Sequence, residues 1–169
     1  RKYLPAPDVC LESDSFIYLA VHPVYCRHWG FFSISLYRGK DKEIQQLVAD
    51  SLEINHQLVD LVKPNLTASE IYACFENWLG ENRYINADQP TSIPWVTLGH
   101  SIENNPQKRI FIRKNEQTKL AGKVWTIEPR IAKRTGLVSA GFERIISFVK
   151  GKEVIGSFEK ILVKYKKIS

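Results

Sequence analysis

A chain of 169 residues with 44% hydrophobic and 25% charged side chains can build one packed core, and is too short for two independent ones. With only 9 glycines and 8 prolines it is neither fibrous nor low in complexity, and no apolar run reaches the roughly 20 residues of a membrane-spanning helix. The net charge of +6 favours an acidic partner only if the basic residues cluster.

Cys10, Cys26 and Cys74 are odd in number and form no CxxC pair, so reduced, mostly buried thiols are expected rather than disulfides or a zinc knuckle. The opening "RKYLPAPD" lacks the apolar segment of a secretion signal, and the expectation is a soluble, cytoplasmic protein with no membrane partner. Absence of methionine at residue 1 leads us to expect a processed or excerpted chain.

In chain order, "DSFIYLAV" (14–21) and "GFFSISLY" (30–37) are aromatic and β-branched runs that predict two strands of a hairpin, joined by "HPVYCRHW". From Lys42 the apolar period lengthens: Ile44, Leu47, Val48, Leu52, Leu58, Val59 and Val62 predict an amphipathic helix over 42–63, stopped by "KPN". "TASE" at Thr67 to Glu70 reads as a capping box opening a second helix over 67–79, closed by Gly80. Strand-like segments follow: "WVTLGH", "RIFI", "KVWTIEP", "LVSAGFERIISFVK" and "FEKILVKY". A hairpin, two helices and then strands make an α+β fold rather than a doubly wound one. In the tail, Lys160, Lys164 and Lys166 alternate with Ile161, Val163 and Tyr165, the pattern of a strand with one wet face, while binding of nucleic acid through the basic surface stays open. His22 and His28 flank a loop without zinc spacing, and His56 is expected on the exposed side of the first helix.

The order "SLYRGK", "KPNLTASEI", "LGHSIE", "LAGKVWTIEPRI" and "FEKILVKY" resembles the pita-bread family of methionine aminopeptidases, Xaa-Pro dipeptidases and creatinases, from about Asp14 onward. The resemblance implies a curved, mostly antiparallel sheet with outer helices. It further implies that 1–169 is a single domain, the C-terminal portion of a longer protein whose N-terminal part is missing here. It implies two divalent metals held by two aspartates, a histidine and two glutamates, where a bound water becomes the nucleophile. The histidine position falls on His100 and the glutamate positions on Glu128 and Glu159. The aspartate positions fall on Ala20 and Phe31, and neighbouring registers bring in no carboxylate. The family's second histidine has no counterpart between Glu103 and Gln107, and Arg130 stands where its T-I-E-P-G glycine would be.

The resulting expectation is a remnant site at His100, Glu128 and Glu159 with no metal ligand set and no cofactor. Trp29, Phe31 and Arg130 would line a pocket for substrate or partner. The domain would act as a pseudo-enzyme or as a peptide- or protein-binding module, with a homodimer left open. A metal-independent, creatinase-like hydrolase of a small C–N substrate and an active Xaa-Pro metallopeptidase with altered ligands are the alternatives. Glu128 itself, a carboxylate in the strand-like "KVWTIEPRI", requires a compensating partner wherever it is buried.

Overall fold

The computed structural model describes residues 10–12, 14–25, 28–87, 97–134 and 138–155. The first predicted hairpin forms: β1 (Phe16–Val21) pairs antiparallel with β4 (Phe32–Tyr37), with Ala20 opposite Ser33 and Tyr18 opposite Ser35. The connection between them is itself a small hairpin of β2 (Val24–Tyr25) and β3 (His28–Trp29). Because side chains alternate across a strand, Tyr18, Ala20, Ser33 and Ser35 share one face of the β1–β4 ribbon.

Helix α1 spans Lys42–Leu61 and is capped by Asp41, whose Oδ1 accepts from the Glu43 amide at 2.8 Å. It ends just before Lys63-Pro64, as the sequence requires. Its buried stripe includes Leu47, Ile54, Leu58 and Val59, but also the polar Ser51 and Asn55. Helix α2 spans Ala68–Asn82 and begins on the expected capping box, with Thr67 N donating to Glu70 Oε2 at 2.7 Å and Glu70 N to Thr67 Oγ1 at 3.2 Å. The expected stop at Gly80 does not occur. The helix continues through Gly80 to Asn82, and Arg83 takes the left-handed conformation (φ 59°) that closes it.

The remaining strands form two three-stranded antiparallel sheets. β5 (Tyr84–Asn86), β7 (Arg130–Lys133) and β8 (Ser139–Gly141) make one, in the order β5-β7-β8. β6 (Val124–Ile127), β9 (Arg144–Ser147) and β10 (Glu153–Ile155) make the other, in the order β10-β9-β6. Strands are expected from sequence at "WVTLGH" and "RIFI"; the described parts of these segments form no regular strand and meet through the isolated bridge of His100 to Phe111 and through backbone hydrogen bonds such as Leu98 N to Ile112 O at 2.8 Å. "FEKILVKY" lies outside the described residues.

The two sheets are joined by one continuous hairpin. Ile127 pairs with Arg144 in one sheet and Arg130 with Gly141 in the other, in the same register, so the junction sets Glu128 across from Glu143. The main core lies between the helices and this hairpin, with Ile71, Phe75, Trp125, Ile127, Ile131 and Ile146 fully buried. Trp125 satisfies its indole by donating to Leu120 O at 3.0 Å.

Asn55 explains its place on the buried face of α1. Its Nδ2 donates to Ile127 O at 3.2 Å and to Phe142 O at 2.9 Å, the carbonyls immediately preceding Glu128 and Glu143. One helical amide thereby ties both strands of the hairpin at its junction. Replacing Asn55 by Leu leaves two buried carbonyls unserved, and urea unfolding should show a loss of about 2–3 kcal/mol. A change below about 0.5 kcal/mol, the range of an ordinary surface substitution, would mean that the junction does not depend on this amide.

Candidate functional site

Glu143 is the most deeply buried carboxylate of the site, at 3% exposure, and it was not singled out from the sequence. Its backbone forms a bridge with Ser33, and its amide donates to Ser33 O at 2.9 Å, which fastens the β1–β4 ribbon to the hairpin junction. The Ser33 side chain hydrogen-bonds that of Glu143, whereas Glu143 Oε1 has no partner among the described residues. Burial raises the Glu143 carboxyl to about 7, against the opposing pull of Ser33 and the Arg130 guanidinium.

A cavity of about 120 Å³ opens beside this group, lined by Tyr18, Ser33, Glu128, Arg130, Gly141 and Phe142. Arg130 lies over the Tyr18 ring with Cζ 4.1 Å from its centroid. Burial raises the Tyr18 phenol, Arg130 lowers it, and Glu128 and Glu143 raise it again, so the guanidinium and both carboxylates act on one ring. Ser35 braces the same wall. Its Oγ donates to Gly141 O at 3.1 Å and accepts from Gly141 N at 2.9 Å.

His100 belongs to a neighbouring cluster. It is 7% exposed, and Gly99 precedes it because the chain runs so close to β6 that a Cβ at residue 99 would lie 2.1 Å from Thr126 O. Thr126 N donates to His100 O at 2.8 Å, and His100 Nδ1 contacts Ser101 O at 2.9 Å. Since a carbonyl only accepts, Nδ1 carries the proton, and in the neutral ring Nε2 is the basic nitrogen. Burial, with Arg109 and His22 adding to it, lowers the imidazole below its ordinary value despite the Ser101 bond. Phe31 packs edge-on against His100 at 4.9 Å between ring centroids and tilted against His22 at 5.2 Å, with Arg109 5.1 Å over its ring.

The residues singled out from sequence therefore fall into two adjoining groups. Glu128 and Arg130 line the polar cavity, and His100 and Phe31 form the aromatic cluster. Glu159 lies outside the described residues, as does the side chain of Trp29. His56 is half-buried, not exposed as expected, because Arg144 reaches it at 2.8 Å between Nη2 and Nε2. Of the thiols, Cys10 is exposed and Cys74 partly buried, both free. The signal for Glu143 was present in "SAGFERIIS", an acid in a strand-like run, but it is visible only once the register is known.

Of the two residues at the aspartate positions that the resemblance implies, Ala20 stands on the ribbon face that carries Tyr18 and Ser33, Phe31 just precedes β4, and neither side chain has a donor atom for a metal. Among the described residues no group of three or more His, Cys, Asp or Glu side chains is placed to hold an ion. Among them, too, no helix is long and apolar enough to cross a membrane.

Residues 2–150 match the model of metallopeptidase family M24, and the chain belongs to that family. Its fold is that of the pita-bread aminopeptidases and prolidases. The methionine aminopeptidase of Thermotoga maritima superposes with a TM-score of 0.68 at 18% identity, over 89% of this chain and 67% of the other. The prolidase of Pyrococcus furiosus gives 0.73 at 20% identity, over 91% and 44%. The Xaa-Pro dipeptidase of Bacillus anthracis gives 0.68 at 21% identity, over 83% and 38%. The chain thus spans about two thirds of the aminopeptidase and less than half of either of the other two chains. No curated protein matches it.

The raised Glu143 carboxyl has a definite pH consequence. Its folded value near 7 exceeds the unfolded one, so the native state holds the proton more tightly, and stability at this site rises as pH falls from about 7 toward about 4.5. His100, with a lowered value, works the other way below its unfolded pKa. Comparing the native protein with Glu143→Gln isolates the carboxylate. Lowering pH from 8 to 5 should stabilise the native protein relative to the variant by on the order of 1–3 kcal/mol. Parallel pH profiles of the two proteins in chemical denaturation would contradict the assignment.

Proposed function

We propose that this metallopeptidase-like domain no longer assembles a dinuclear metal centre and serves as a peptide- or protein-binding module. The observation that carries this reading is the cation beside the two carboxylates: it is Arg130, a side chain of this chain, while Phe31 fills an aspartate position with a ring packed on His100. A fixed guanidinium offers no exchangeable coordination position and cannot lower the pKa of a bound water, so the metal-activated nucleophile of the family has no equivalent here. Apolar surface for a partner is available on and beside β1, where Leu19, Val21 and Val24 are exposed.

A second reading has one observation in its favour. His100, held with its proton on Nδ1, keeps Nε2 as a base, which suits metal-independent acid–base work on a small C–N substrate.

Elemental analysis of the purified protein and turnover of an Xaa-Pro dipeptide with added manganese or cobalt separate these readings. The expected result is metal well below one ion per chain and no turnover above the His100→Ala variant. Stoichiometric metal with turnover abolished in His100→Ala would overturn the proposal. Chelator-resistant hydrolysis of a small amide would favour the second reading instead.

A further inference from the structure

At the end of α2, away from the carboxylates, the structure forms a second and larger concavity that the peptidase resemblance does not account for. It measures about 620 Å³, within the range of small-ligand sites. One wall is the last turn of α2 with Gly80, Asn82 and Arg83; the other is the end of β7 with Lys133 and Arg134; Tyr84 lies between them. Three cationic side chains separated by fifty residues of sequence are brought together because Tyr84 pairs with Lys133 in the β5–β7 ladder.

Among the described residues no carboxylate lines this groove. The acidic groups nearby are engaged behind it: Glu43 pairs with Lys133 at 3.1 Å, and Asp50 accepts from the Tyr84 hydroxyl at 2.6 Å. Arg83 and Arg134 make no ion pair among the described residues. Tyr84, the aromatic residue of the lining, is itself held by Trp78, stacked parallel on it at 5.7 Å between centroids and 6° between planes. Over Gly80 the space is open, since a Cβ there would meet nothing within 4 Å.

Arg83 adds an independent argument. It occupies the left-handed position that ends α2, where Gly or Asn is the ordinary choice because a Cβ is disfavoured there. An arginine kept in a strained backbone conformation at the mouth of a cavity points to a use for its guanidinium. Arginine's planar fork matches phosphate oxygens two at a time, and lysine supplies a point charge beside it.

We propose that this groove is a binding site for a phosphate-bearing ligand, with Arg83 and Arg134 clamping the phosphate and Lys133 adding to the local field. The site is independent of the carboxylate cavity, and its existence does not depend on whether that cavity catalyses anything.

Three probes test it on the full chain at low salt: inorganic pyrophosphate, adenosine monophosphate and a short single-stranded RNA, followed by calorimetry and by the fluorescence of the protein's tryptophans, Trp78 among them. Saturable binding of at least one probe is expected, weakening as salt is raised. The Arg134→Gln variant, in an exposed turn, and Arg83→Asn, which tolerates the left-handed backbone, should each weaken it roughly tenfold or more while leaving the melting temperature unchanged. Saturation by pyrophosphate or the nucleotide would identify a free phosphate compound as the ligand, and saturation by RNA alone a nucleic-acid backbone. Failure of all three probes to saturate, or equal affinity in native protein and both folded variants, would overturn the proposal.

Discussion

Two carboxylates set across from each other in antiparallel strands repel, and burying them raises the cost further. The hairpin register imposes this arrangement on Glu128 and Glu143, and the surrounding structure is organised around answering it. Burial keeps Glu143 protonated more readily than an ordinary glutamate, Ser33 hydrogen-bonds it, and the Arg130 guanidinium supplies a positive charge two residues beyond Glu128 on the same strand segment. That counter-charge is part of the chain itself.

The elements that hold this arrangement are polar side chains in positions normally apolar. Asn55 grips the two carbonyls that precede the carboxylates, and Ser33 and Ser35 fasten the β1–β4 ribbon to the junction where a fully apolar wall would leave the strand ends unpaired. Phe31, just before β4, packs on His100, so one chain segment leads from the aromatic cluster to the Ser33 wall of the polar cavity.

Much of the fold was legible from periodicity and capping: the first hairpin, both helices, the Thr67 box and the strand at "KVWTIEP" all form. The end of α2 was misplaced because Gly80 is only a weak helix breaker when the turn is packed, and the left-handed closure passed to Arg83. Of the residues named for the site, Glu128 and Arg130 line one cavity and His100 and Phe31 pack together, whereas Glu143 was hidden. Its significance depends on pairing with a residue fifteen positions away through a junction between two sheets, a long-range register that local alternation does not encode. Ser51 and Asn55 were likewise invisible, because a polar residue on a buried helix face is informative only when its acceptors are known.

Arg130 and Glu143 act as one electrostatic unit. A double-mutant cycle in denaturant stability at pH 8 measures that directly, using Arg130→Gln, Glu143→Gln and the pair together. Removing the guanidinium alone should cost more than removing it from a chain that already lacks the Glu143 charge, with a coupling of about 1 kcal/mol or more. Additivity of the two substitutions within about 0.5 kcal/mol would contradict it, and would return the counter-charge of the carboxylates to some other partner.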